Sequence, residues 1–143
     1  MANAQITTGV TIINSLKGFI GLSLTNFSTS AVSAIAAGSV VEVAGAFFHF
    51  SSNETINASS WTAISTGSTV YVLVTPSGTA GSQILTASYT STAPAWNTSN
   101  QGWYASAASN SRVVAGMYKN GTASYTEKFV VNNYDQGAIV WSV

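Results

Sequence analysis

Few side chains in this sequence could do acid–base or nucleophilic chemistry. His49 is the only histidine of the 143 residues, it lies inside the apolar run FFHF, and cysteine is absent. The common zinc sites take three or four His or Cys ligands, so this chain cannot build them. A Ser–His–Asp arrangement is formally possible, but no G-x-S-x-G nucleophile signature occurs. We expect His49 to be a strand residue with one face packed.

The acidic residues offer one further kind of chemistry. A glycosidase needs two carboxylates that converge across a cleft, and no spacing forces this on the four that the chain contains: Glu42, Glu54, Glu127 and Asp135. Glu42 lies between Val41 and Val43, so on a strand it points away from them, and we expect it to face solvent; a buried ion pair with Arg112 is the alternative. Phosphate-binding, calcium-binding and dinucleotide-binding loop motifs are missing too. The sequence predicts a protein that is not an enzyme and that uses no metal or cofactor.

The surface chemistry of the chain is nearly neutral. Charged residues make up 6% of it and their formal charges cancel, whereas a usual content is about 25%. Without a basic patch we expect no nucleic-acid partner. Zero net charge favours association, so we expect a homo-oligomer. The charge-free run from Gly18 to Val41 contains too many Ser and Thr residues for a membrane-spanning helix.

Alternation of apolar and polar residues predicts an all-β fold. The stretch SVVEVAGAFFHF reads as two short strands that turn at Ala44-Gly45, with Val41, Val43, Phe48 and Phe50 on the inner side. Asn120-Gly121 is the strongest hairpin signal. Further strands are predicted at Ser68–Pro76, Ser82–Thr90, Arg112–Lys119, Ser124–Asn132 and Gly137–Val143. Many short strands with turns between them favour an antiparallel β-sandwich, either jelly-roll-like or a small barrel.

The N-terminal region is expected to be an extended arm. Residues 1–28 are interpreted as an arm or lead-in strand that serves assembly, and residues 29–143 as the β-sandwich module. Ser30–Gly38 could instead form a helical turn that ends at Gly38. The apolar residues proposed to dock the arm on a partner are Ile6, Val10, Ile12, Leu16, Phe19 and Leu22.

Aromatic and amide residues cluster in the stretch from Thr92 to Gly116. Trp103 and Tyr104 are adjacent, so on a strand one ring points inward and the other outward. An exposed ring beside amide donors could stack on a sugar or anchor a protein interface. The candidate ligand or interface residues are Trp96, Asn97, Asn100, Gln101, Trp103, Tyr104 and Arg112.

The order of these motifs, from about Gly38 to Val130, resembles a β-rich module of the virion structural proteins of tailed bacteriophages, found in head decoration, head-fibre and tail-fibre proteins. The shared residues are Gly38, Glu42, Gly45, Tyr71, Pro76, Pro94, Trp96, Gln101, Gly102, Trp103, Tyr104 and Arg112. The corresponding modules often carry acidic residues before the QG pair, where this chain has Asn97 and Asn100.

The resemblance implies a small β module, commonly a homotrimer, that is attached to a particle by its N-terminal part. It would assemble in the bacterial cytoplasm and reside in the virion, with itself and other capsid or tail components as partners. A host-surface glycan is a further candidate partner. The alternative hypotheses are a free carbohydrate-binding module that uses exposed Trp or Tyr and, less favoured, a glycosidase.

Overall fold

The computed structural model describes residues 3–6, 24–25, 34–122 and 124–130. Within these ranges the chain forms strands and one short helix, in this order: β1 Asn3–Ile6, β2 Leu24–Thr25, β3 Ala34–Ile35, β4 Val40–Val43, β5 Ala46–Phe50, β6 Glu54–Thr55, α1 Ala58–Thr62, β7 Thr69–Ser77, β8 Ile84–Thr90, β9 Ala95–Asn97, β10 Gly102–Tyr104, β11 Arg112–Gly121 and β12 Ser124–Val130. The predicted all-β class is confirmed.

The described strands make three antiparallel sheets. The small ones have the orders β1-β5-β4 and β2-β3-β6, and the large one has the order β8-β7-β11-β10-β9, with β12 also paired to β11. One hydrophobic cluster contains buried residues from all three, among them Ile35, Phe48 and Val72. The sheets therefore share a core, while the predicted β-sandwich, jelly-roll-like or a small barrel, stays a prediction.

The β4–β5 hairpin forms as its sequence predicts. Val41, Val43, Phe48 and Phe50 are all buried, because alternate residues of each strand point to the same face. Ala44 and Gly45 have φ values of 50° and 85°, and positive φ at both central positions is the type I′ geometry that matches the twist of a two-residue hairpin.

The large sheet is built on long strands with the predicted bounds to within a few residues. β7 pairs with β8 on one side and with β11 on the other, and its alternate residues Val70, Val72 and Val74 are completely buried. β11 and β12 form the predicted hairpin, but the strand continues through Asn120, and Gly121 pairs with Ser124. The turn thus follows Asn120-Gly121 instead of occupying it.

Helix α1 is an element that the alternation did not predict. The Asn57 side chain accepts a hydrogen bond from the Ser59 backbone N–H and caps the helix. Its buried residue is Trp61, whose ring lies edge-on to Tyr89 at 5.1 Å between centroids. The helix is too short to be stable alone, so it depends on tertiary contacts, of which the packing of this ring is one.

The helical turn proposed for Ser30–Gly38 is wrong at Ala34 and Ile35, which pair with Thr55 and Glu54 as a strand. Residues 30–33 lie outside the described residues. Gly38 does end the segment, with φ 86°.

Of the proposed assembly arm, Ile6 lies on β1, where it pairs with Phe47 of the same chain. Val10, Ile12, Leu16, Phe19 and Leu22 lie outside the described residues, as does the strand predicted for Gly137–Val143. The assembly role of residues 1–28 stays a prediction. Within the described ranges, no helix has the length and apolar character needed to cross a membrane.

Candidate functional site

The predicted site residues gather on the β9–β10 hairpin and the start of β11. Gly102 pairs with Asn97, Trp103 with Trp96, and Tyr104 with Ala95, while Tyr104 also pairs with Arg112 on β11. Residues in register point to the same face of a sheet. The hairpin therefore has an inner face that carries Gly102 and Tyr104 and an outer face that carries the two tryptophans.

A buried ion pair lies beneath the inner face. Arg112 Nη1 donates to Glu42 Oε2, and the side chains are only 4% and 16% exposed. The other carboxylate oxygen, Oε1, accepts from the Gly45 backbone N–H. The expectation that Glu42 faces solvent is wrong and the alternative of an Arg112 pair is correct. Glu42 does point away from Val41 and Val43, but Arg112, 70 residues later, covers that face.

Tyr104 completes this structure, which we call the clamp: Glu42, Tyr104 and Arg112. The fully buried Tyr104 ring lies 5.5 Å from Arg112 Cζ, within range of a cation–π contact. Its hydroxyl oxygen accepts from the Ala44 backbone N–H at 3.0 Å. The clamp therefore joins the turn of one sheet to the first residue of β11 in another.

Gly102 leaves the space that the Arg112 guanidinium fills. A Cβ at this position would lie 2.9 Å from Arg112 Nη2 and 3.1 Å from Tyr104 Cε2. The first distance is shorter than a Cβ atom tolerates, and the second is tight enough that the Tyr104 ring would have to shift. The glycine of the QGWY motif is thus needed for close packing under the hairpin.

The turn between β9 and β10 is held by the side chain of Asn97, which is 4% exposed. Its Oδ1 accepts from the backbone N–H groups of Ser99 and Asn100, both at 3.0 Å, and its Nδ2 donates to the Ser109 carbonyl. Gln101 has a left-handed φ of 49°, and its side chain donates to the Thr98 carbonyl. These four hydrogen bonds fix a turn of short polar residues.

Trp96 and Trp103 form an exposed pair on the outer face. Their centroids are 5.6 Å apart and their planes meet at 78°, an edge-to-face contact. Trp96 is 37% exposed and Trp103 is 44% exposed. The expectation that one ring of Trp103-Tyr104 points inward and the other outward is confirmed. The seven candidates therefore divide into three groups: the buried residues Asn97, Tyr104 and Arg112, the turn residues Asn100 and Gln101, and the outer tryptophans that contact solvent.

A second buried cation, Lys119, was not anticipated from the sequence. It is 3% exposed, and its Nζ donates to the carbonyl oxygens of Trp61 at 2.8 Å and Ile64 at 2.6 Å. A cation at this position satisfies carbonyl groups at the C-terminal end of α1. The spacing in the sequence could have predicted its burial, because Lys119 follows the buried Ala115 and Met117 at intervals of two and so lies on the same face of the strand.

The remaining titratable groups lie apart from the clamp. His49 is exposed on β5, opposite Val40, so the prediction that it is a strand residue is confirmed. Burial raises the pKa of Glu54 on β6. Among the residues that the structure describes, no group of three or more His, Cys, Asp or Glu side chains could hold a metal ion. Asp135 lies outside them.

No family model, curated protein or solved structure matches the chain. What the clamp residues can do chemically is limited by their contacts, because both Glu42 oxygens accept hydrogen bonds within the fold.

Proposed function

We propose that the chain is a non-enzymatic structural module of a tailed-bacteriophage virion, either a capsid-decoration or a fibre module, that self-associates and attaches to the particle. The support is the position of the residues that carry the resemblance. Glu42, Gly102, Tyr104 and Arg112 are remote in sequence and meet in the clamp. A motif whose members hold sheets together is typical of a scaffold.

The observation that carries this proposal is the use of Glu42 and Arg112 as a structural pair. In a hydrolase, a catalytic carboxylate needs an accessible oxygen toward its substrate. Here one oxygen binds Arg112 and the other binds the Gly45 N–H. Any arrangement that separated Glu42 from Arg112 would leave an uncompensated buried charge, which is strongly destabilising. The pair therefore favours the one arrangement in which the β4–β5 turn meets β11.

The exposed side chains of the hairpin are compatible with contact to another protein in an assembly. The solvent-facing part of the hairpin presents two tryptophans among hydroxyl and amide groups, and protein interfaces are enriched in Trp and depleted of Lys and Glu at their centres. With zero net charge, little long-range repulsion opposes the approach of a second copy.

Native mass tests this proposal. Light scattering at several concentrations on the full chain is expected to give a multimer, with the mass of three chains favoured. A full chain that carries Phe19→Ser and Leu22→Ser is expected to lose the multimer, because it removes two apolar side chains of the arm. A chain that begins at Ser28 is expected to lose it too, but this truncation also deletes β1 and β2, which pair with β5 and β3. His49→Ser, at an exposed strand position, is the control. A full chain that stays monomeric at all concentrations and does not co-sediment with phage particles would rule out the assembly role.

A free carbohydrate-binding module is the second candidate, and the exposed Trp96–Trp103 pair favours it. It predicts a monomer whose sugar affinity is independent of residues 1–28. The two candidates therefore differ in mass before any ligand is added.

A further inference from the structure

We propose that the outer face of the β9–β10 hairpin is a binding site for a neutral saccharide, with a sugar ring stacked on Trp103 and bordered by Trp96. The inference goes beyond the assembly role and does not depend on it, since a monomer and a trimer could both present the hairpin.

The first argument is the geometry of the two rings. The rings meet at 78°, so they are not stacked and neither ring can cover both faces of the other. Trp103 is 44% exposed, so part of its indole surface is open to a ligand. The C–H bonds on the face of a sugar ring carry partial positive charge, and an indole face is negative. Trp61, by contrast, is 1% exposed and belongs to the core.

The second argument is that the hairpin is preorganised. Asn97 holds the turn from inside by three hydrogen bonds, and the inner face rests on the Arg112 clamp. A rigid platform loses little conformational entropy when a ligand binds, which matters most for weakly binding sugars.

The third argument is charge complementarity. No residue between Ser91 and Ser111 is charged or is a histidine. The adjacent cation, Arg112, is buried and paired with Glu42. A phosphate or carboxylate ligand would therefore gain nothing here, and nucleic acid requires basic contacts. Hydroxyl and amide groups of Thr98, Ser99 and Asn100 in the turn instead match the hydroxyls of a neutral sugar.

The fourth argument is size. A tryptophan contributes roughly 150–250 Å², so exposures of 37% and 44% leave about 200 Å² of indole surface at most. A specific protein interface buries about 800 Å² per partner. The aromatic patch by itself is thus about a quarter of one side of such an interface, whereas it matches the area of one or two sugar rings.

Isothermal titration with the full-length protein tests the site, with neutral cellotetraose, maltotetraose and chitotetraose as probes and the anionic tetragalacturonate as the charge control. We expect saturable binding of at least one neutral probe in the millimolar range or tighter, and none of tetragalacturonate. Trp103→Thr, which keeps a β-favouring residue, is expected to weaken that binding by about tenfold or more. Trp103→Phe, which keeps a smaller ring, should weaken it less.

The matched control is Ile84→Thr, because Ile84 is another exposed large apolar residue, 36% exposed, and lies on β8 outside the hairpin. It should leave binding unchanged. Three outcomes would overturn the proposal: no neutral probe saturates, affinity is the same in Trp103→Thr, or Ile84→Thr weakens binding equally. Light scattering on the same variants tests whether a second copy occupies this face instead. If no probe binds and the multimer is lost only in Trp103→Thr, the face belongs to a second copy. If Trp103→Thr does not fold, the affinities of Trp103→Phe and Asn100→Ala for the neutral probe are compared with those of the parent and of Ile84→Thr, and both are expected to be weaker.

Discussion

At the scale of single residues, the clamp shows that a chain with few charged residues uses two of them as a buried ion pair. Arg112 is 3% exposed, and its desolvation is offset by the Glu42 carboxylate and the Tyr104 ring. Removal of one member of a buried pair is strongly destabilising because the other stays buried and charged. The clamp therefore contributes specificity to the fold as much as free energy.

Substitution of Arg112 tests this point. Arg112→Met keeps the length of the side chain and removes the charge, and it is expected to lower the free energy of unfolding by about 3 kcal/mol. Adding Glu42→Gln should restore part of the loss, because the orphaned carboxylate is then gone. Urea denaturation measures both, with His49→Thr on an exposed position as the control, expected within about 0.5 kcal/mol of the parent. Strictly additive losses would contradict the pairing.

Gly102 gives a second test at this scale. Gly102→Ala is expected to destabilise by about 1–3 kcal/mol, since its methyl group would lie 2.9 Å from Arg112 Nη2. In the Arg112→Met background the flexible thioether can move aside, so the cost should fall. An equal cost in both backgrounds, measured by urea denaturation, would show that the guanidinium is not the obstacle.

At the scale of elements, two short pieces depend on particular backbone solutions. The β4–β5 turn puts a non-glycine residue, Ala44, at φ 50°, a conformation that costs an L-residue roughly 1 kcal/mol. Helix α1 has five residues and relies on Asn57 at its start and on Lys119 at its end. In both cases the local sequence is not enough to stabilise the conformation, and contacts with the rest of the fold are required.

Ala44→Asn is expected to stabilise the protein by about 0.5–1 kcal/mol, because Asn-Gly is the preferred pair for a type I′ turn. Thermal and urea unfolding would measure the gain. Gly45→Ala provides the opposite control: nothing lies within 4 Å of the added Cβ, so its expected loss of about 1 kcal/mol reports backbone strain alone. A loss of stability in Ala44→Asn would refute the assigned turn type.

Lys119→Met is expected to lower the free energy of unfolding by about 3 kcal/mol, since two carbonyl groups lose a charged donor. Asn57→Ala, which removes only the helix cap, should cost about 1 kcal/mol. Thr66→Ala, at an exposed position, is the control. If urea denaturation ranks Asn57→Ala above Lys119→Met, the helix end does not depend on the lysine.

At the scale of the whole molecule, three sheets share one core, so local changes are expected to appear in global unfolding. The chain has few titratable side chains, so the contribution of one carboxyl group to stability can be followed through its pH dependence. Glu54 is the useful probe, because burial raises its pKa.

A raised pKa means that the folded protein binds this proton more readily than the unfolded chain does. The stability contributed by Glu54 is therefore greatest at low pH and falls as pH rises from the ordinary glutamate pKa of about 4 through the raised value. Glu54→Gln is expected to melt at a higher temperature than the parent at pH 8, with the difference vanishing below about pH 4. Glu42→Gln, the same chemical change at the clamp, should lower the melting temperature at pH 8. A difference for Glu54→Gln that does not vary with pH would contradict the assignment.

The sequence alone determined the features that repeat every two residues or sit in a tight turn. Alternation placed Val41, Val43, Phe48 and Phe50 inside, and the adjacency of Trp103 and Tyr104 sent them to opposite faces, because side chains of a strand alternate. The β4–β5 turn and the all-β class were predictable from local sequence for the same reason, whereas the turn after β11 follows the predicted Asn120-Gly121 pair.

Only the tertiary structure decided which face of a strand is covered. Alternation says that Glu42 points away from its valines, but not that Arg112, 70 residues later, lies there. It does not indicate that Lys119 finds two helix carbonyls, or that Trp96 and Trp103 meet edge to face. Burial and pairing depend on contacts between segments remote in sequence, and the period of one strand carries no information about the element that packs against it.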